Sequence, residues 1–334
     1  VTRRVLIAAL AALVAGFAVA RSAGDLAFWR DYVAAASGRP PPRGIEVAGG
    51  DGGVLPRATP AEQGLDDAAL AAAAATAATA AGRAADVLLL VARRGHLVFE
   101  SAAGAASLRP SPLLSRLALL AGAAASAAPQ ADEAELQGQV RALAAWSLEP
   151  SAGGWSRGPW SARARARFGP APAAPLPGGG AAQAFPATFS RDLWSPLGAG
   201  AARWAADGQG RPRLHCCLWL RPRDGLALAV ALQGGGQLEG RALLGAGRAG
   251  AVLGALDDGV APRGAEAFGA RAARMLRDDA GTRLYFFPAQ ELVILLLGAD
   301  ESRLGDETAL AHQILRGIVD GVPASSAPQV VPLH

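Results

Sequence analysis

The chain has 334 residues, 51% of them hydrophobic, and a mean hydropathy of +0.23, enough for one large domain or two lobes sharing a core. All 32 of its basic residues are arginine, lysine and asparagine are absent, and the net charge is only +4. So mild a surplus argues against a nucleic-acid binder, which needs basic residues gathered on one face, and the missing lysine removes a lysine base from any catalytic reading.

Arg3 and Arg4 precede an uncharged apolar run from Val5 to Ala20, closed by Arg21. This is the layout of an export signal or a membrane anchor. Ala18-Val19-Ala20 fits a signal-peptidase site, and at about 1.5 Å per residue the run spans about 24 Å, short of a ~30 Å hydrocarbon core. Retention is favoured instead by Leu26, Phe28, Trp29, Tyr32 and Val33, which suit a membrane interface. Residues 1–24 are thus expected to be a signal peptide or a membrane anchor, with the rest exported and either periplasmic or held at the inner membrane through residues 5–20. Residues 25–58 read as a juxtamembrane linker, because 38–64 are rich in Gly and Pro without periodicity.

Asp66 is placed to cap an alanine-rich helix over Asp67–Ala81, stopped by Gly82. Such a helix suits close packing on a flat surface such as a sheet. Val87–Ala92 and Leu97–Glu100 flank the Arg93-Arg94-Gly95-His96 turn as a hairpin. Leu113–Ala128 reads as a helix, 150–187 carries few structural signals, Arg191–Leu197 is a short ordered piece, and Leu226–Leu232 fits a helix starting at Pro222 and capped by Asp224. Near the far end Arg283–Phe287 and Glu291–Leu297 flank Pro288-Ala289-Gln290 as a second hairpin. Leu292–Leu297 is too apolar to face water and should be a central strand. A helix from the cap Asp306 to about Asp320 follows, with Leu310, Ile314, Ile318 and Val319 on its apolar face.

Three clusters invite functional readings. His215-Cys216-Cys217 suggests a metal, but consecutive strand residues do not share a face. Adjacent cysteines can close only a small ring, so no disulfide framework is expected. The pairs Asp257-Asp258 and Asp278-Asp279 lack further ligands and read as solvated turns, so neither a metal nor a cofactor is expected. Trp146, Trp155 and Trp160, followed by Arg163, Arg165 and Arg167, fit either a Trp-filled lobe core with a solvated arginine face or a surface for a protein partner.

Four stretches carry a family resemblance: Pro60–Asp66 leading into the first helix and hairpin; Asp192–Gly198 with Ala202, Trp204, Asp207 and Gly210; Arg223–Leu226 through Gly235–Leu244; and Leu284–Pro288 through Ile294. In order and spacing they resemble the class C β-lactamase-like serine hydrolases, in the branch of esterases and 6-aminohexanoate-dimer hydrolases. The resemblance implies an α+β, β-lactamase/transpeptidase-like fold. An antiparallel sheet built from both chain ends (59–104 and 266–325) would be flanked by helices, with a mainly helical or irregular lobe (105–265) inserted.

The same resemblance implies a Ser-x-x-Lys nucleophile and base one helical turn apart, a catalytic tyrosine, and a third motif shaping the oxyanion site. Here Ser111 stands at the nucleophile position and Leu114 at that of the lysine. Shifting the register to Ser115 brings Ala118, and the Arg116 guanidinium stays charged. Pro177–Ala184 offers no acid or base where the tyrosine motif falls. Asp278–Arg283 replaces the third motif, with Gly281 surviving as a point of close approach. Together these losses predict a pseudoenzyme acting as a binding or scaffolding subunit. The alternatives are a divergent serine hydrolase using Ser111 with another base, and a structural accessory subunit of a membrane complex.

Overall fold

A computed structural model describes residues 44–51, 54–80, 87–101, 107–128, 131–148, 176, 182–206, 210–214, 216–256, 262, 269–270, 272–278, 280–299, 303 and 308–319. The expected signal or anchor lies outside them, as do Gly82, His215, Asp257, Asp258, Asp279, Asp306, Trp155, Trp160, Arg163, Arg165 and Arg167. Among the described residues no helix is long and apolar enough to cross a membrane.

In chain order the elements are β1 (Gly44–Val47), α1 (Asp67–Thr79), β2 (Leu88–Arg93), β3 (His96–Glu100), β4 (Arg109–Pro110), α2 (Pro112–Ser126), α3 (Glu133–Leu148) and α4 (Phe185–Phe189). From α4 the chain runs through a π-helical turn, Ser190–Trp194, into the short helix Ser195–Leu197. Then come β5 (Ala202–Ala205), β6 (Leu218–Leu220), α5 (Pro222–Gln233), β7 (Gln237–Leu238), β8 (Arg241–Ala242), α6 (Ala246–Ala255), β9 (Arg274–Arg277), β10 (Arg283–Phe287), β11 (Leu292–Leu297) and α7 (Ala309–Arg316).

Front and back segments meet in one antiparallel sheet, ordered β3-β2-β11-β10-β9. β11 is central and fully buried, as its unbroken apolar run requires. Strand alternation then sorts the side chains into two cores. Leu284, Phe286, Val293 and Leu295 join the core shared with α2 and α5. Tyr285, Phe287, Ile294 and Leu296 join the other, with Leu70, Ala73 and Ala77 of α1 and Leu310, Ala311 and Ile314 of α7. Small side chains let α1 lie close: a Cβ added at Gly317 would strike Ala69. Asp66 caps α1 by accepting from Ala68 N at 3.1 Å, and its own N–H donates to Gly317 O at 2.8 Å.

Four expectations need correction. The stretch read as linker contains β1, which pairs with β5 in a second antiparallel sheet, β1-β5-β6-β4. Gly44 permits this because any side chain there would meet the Trp204 carbonyl. The inserted lobe therefore carries the short strands β4, β5 and β6 of this sheet beside its helices. Val319 is 70% exposed rather than on a buried helical face, since α7 ends at Arg316. Asp224 does not cap α5; that position is Arg221. Its buried carboxylate instead accepts from Gly200 N at 3.1 Å and Arg221 Nε at 2.9 Å. Lastly, Cys216 and Cys217 precede β6 rather than sitting within it, and a disulfide joins them.

Candidate functional site

The position expected for a nucleophile is built where β4 turns into α2. β4 pairs with β6, Pro110 opposite Trp219. Pro112 is the first residue of α2, where its missing N–H costs nothing. Ser111 between them is extended (φ −144°, ψ 117°) and caps the helix, its Oγ accepting from Leu114 N at 3.1 Å. Among the described residues the hydroxyl's other partner is Thr282 Oγ1 at 3.1 Å. Ser111 is 1% exposed.

Asp278 completes the cap from the turn between β9 and β10. Its Oδ2 accepts from Leu113 N at 2.9 Å, and its Oδ1 accepts from Ala280 N and Thr282 N, each at 2.9 Å. The free amides opening α2 are thus taken by two side chains of the protein itself. Ser115, one turn on, donates to Ser111 O at 2.7 Å and accepts from Leu218 N at 2.9 Å, tying α2 to β6.

Leu114 is the residue at which the sequence resemblance implies a lysine base. It is 2% exposed and faces Gly225 of α5, where an added Cβ would lie 2.7 Å from Leu114 Cδ1. The absent side chain at Gly225 lets α5 close over Leu114, so the volume a lysine would need is packed with hydrocarbon. Tyr285 lies on the opposite sheet face. His96 opens β3, paired with Arg93, with Nδ1 2.9 Å from Arg94 O. Among the described residues, no titratable side chain contacts the Ser111 hydroxyl directly.

The reading of Asp278 as part of a solvated turn is corrected: it is half-buried overall with its carboxylate turned against α2. Burial pushes that carboxyl above the usual range, outweighing the amide and Thr282 hydrogen bonds that pull it down. The native state therefore holds this proton more tightly than the unfolded chain. Its contribution to stability is present below the unfolded value, about 3.9, and is lost as pH rises through the folded one. The stability of wild type relative to Asp278→Asn is expected to fall as pH rises above about 4, measured by urea unfolding at a series of pH values. Ser111→Ala, which removes only the cap, is expected to cost about 1 kcal/mol in the same assay.

Sequence reasoning missed Thr282 and Asp278 as neighbours of Ser111. The available signal was local: Asp278 is followed by Asp-Ala-Gly-Thr, and its carboxylate can take amides two and four residues on. Gly281, expected to permit close approach, does so toward Ala299: its φ is +83° and an added Cβ would strike the Ala299 carbonyl. Trp146 falls on the last turn of α3.

No protein-family model matches the chain, and neither does any curated protein sequence. Among solved structures it is similar to a Bacillus anthracis protein provisionally named 6-aminohexanoate-dimer hydrolase, at 12% identity over 83% of this chain and 89% of that one, with a TM-score of 0.48. It is also similar to EstCE1, a hydrolase with promiscuous acyltransferase activity (13% identity, 76% and 99% covered, TM-score 0.47). A third is a Bacteroides dorei DSM 17855 protein provisionally named β-lactamase (13%, 70% and 93%, TM-score 0.43).

Proposed function

We propose that this chain is an exported, catalytically silent relative of the β-lactamase-like serine hydrolases that serves as a binding or scaffolding subunit. The observation supporting this reading is the state of Ser111. Its hydroxyl is buried, spent on capping α2, and followed one turn later by a leucine packed against Gly225. A serine hydroxyl without an adjacent base is a poor nucleophile at neutral pH. The layout of residues 1–24 supports export, with or without retention as an anchor. The Trp146, Trp155, Trp160, Arg163, Arg165 and Arg167 group is the partner surface in this proposal. Purified protein is expected to turn over neither nitrocefin nor short-chain p-nitrophenyl esters. Mild-detergent pull-down with mass spectrometry is expected to recover a stoichiometric partner. Steady turnover abolished by Ser111→Ala would contradict the proposal.

One observation favours a divergent hydrolase as a second reading. Ser111 Oγ meets Thr282 Oγ1, and Thr282 in turn meets Asp278, an acid with a raised pKa. A proton leaving Ser111 would have a two-step route to a carboxylate. This reading requires Ser111 to become accessible, and it predicts ester turnover that Asp278→Asn eliminates while the fold persists.

A further inference from the structure

Cys216 and Cys217, the chain's two cysteines, are joined to each other. Both are buried, at 4% and 0% exposed. They form a small apolar cluster with Ala205, Trp219 and Leu108. That cluster lies on the face of the second sheet opposite Trp204, Leu218 and Leu220, which point into the main core. The backbone of the pair is tied in on both sides. Cys217 N donates to Arg213 O at 3.3 Å, and Cys217 O accepts from Ala205 N at 2.9 Å. The next residue is Leu218, whose N–H donates to Ser115 Oγ.

A disulfide ordinarily stabilises a fold by closing a long loop in the unfolded chain. This one closes the shortest loop a polypeptide allows, so that role is minimal. What it does control is local: the bond restricts the backbone at 216–217, and the two free thiols would not. That backbone leads directly into β6, and β6 holds α2 through Ser115 and through the pairing of Trp219 with Pro110.

We propose that Cys216–Cys217 is a redox switch that sets the seating of β6 and, through Ser115, of the α2 amino terminus. The reductant is a small dithiol. One of its thiolates attacks a cysteine sulfur, the Cys216–Cys217 bond breaks, and a mixed disulfide forms. The second thiolate of the reductant then displaces the other cysteine sulfur. The protein gains two electrons and two protons as two thiols, and the reductant leaves as its own disulfide. Because both sulfurs are buried, exchange waits on local opening of this segment. The switch is independent of whether Ser111 reacts.

The test uses the full chain purified without reductant. Alkylation with a maleimide in denaturant, read by intact mass, is expected to add no label before treatment with dithiothreitol and two labels after it. Hydrogen exchange of the native protein is then compared in the oxidised and reduced states. Deuterium uptake is expected to rise on reduction in peptides covering 213–220 and 109–116, to reverse on reoxidation, and to be insensitive to reductant in the Cys216→Ser, Cys217→Ser double variant. Two labels before reduction overturn the proposal. So does uptake that is unchanged, or that rises at 213–220 while 109–116 stays still. If the double variant does not fold, the wild-type comparison alone decides.

Discussion

Leu114→Lys, the substitution that recreates a Ser-x-x-Lys pattern, is expected to destabilise the protein by about 4 kcal/mol and to bring no turnover. Leu114 is 2% exposed, against a helix face opened by Gly225. An ammonium placed there loses its hydration. Of the acids nearby, Asp278 already spends both oxygens on main-chain N–H groups. The lysine would ionise only at a cost of about 1.4 kcal/mol for each pKa unit it is depressed, and its longer stem would also overpack the contact with α5. Urea unfolding measures the first effect, and ester hydrolysis by the folded fraction measures the second. A Ser-x-x-Lys pattern alone is expected to make no reactive site, because position 114 is packed against α5 at Gly225.

Arg93→Leu is expected to cost at least about 3 kcal/mol. Arg93 ends β2 and is 1% exposed. Its guanidinium donates through Nη1 to Gln63 O and Gly64 O, and through Nε to Gln290 O at 3.2 Å. One side chain thus joins the turn ahead of α1 to the turn between β10 and β11, the front and back of the chain. Leucine fills much of the same volume but takes the guanidinium away from these three carbonyls in a buried setting, where each missing charge-assisted bond costs about 1.5–3 kcal/mol; Gly64 O keeps a second donor, Val319 N at 3.1 Å. Arg93→Lys is expected to recover only part of the loss, since a point ammonium cannot span both turns. Chemical denaturation of the three proteins checks the order.

The central sheet was legible from local pattern. The unbroken Leu292–Leu297 run, the turn residues in both hairpins and the alanine content of α1 each demand a single arrangement, and β2, β10 and β11 obey it. β1 was not legible, because four residues beginning with glycine carry no period. Its reason for being a strand is the Trp204 carbonyl that Gly44 approaches, a tertiary fact. Asp224 was misread for the opposite reason: an Asp after Pro-Arg looks like a helix cap, and nothing local announces that Gly200 N and Arg221 will claim it.

The candidate site was half legible. Ser111 followed by proline fits a helix start on local grounds, and the structure bears that out. That Thr282 and Asp278 close over the same helix end could not be read, because 167 residues separate Ser111 from Asp278. Their approach depends on β9 and β10 being brought to α2 by the sheet.

In the proposed function the Ser111 hydroxyl is a helix cap and not a nucleophile. Incubating the folded protein with excess fluorophosphonate and recording its intact mass puts the question to that one atom. The mass is predicted to stay that of the unmodified chain. A single stoichiometric adduct, mapped to Ser111 and lost in Ser111→Ala, would contradict it.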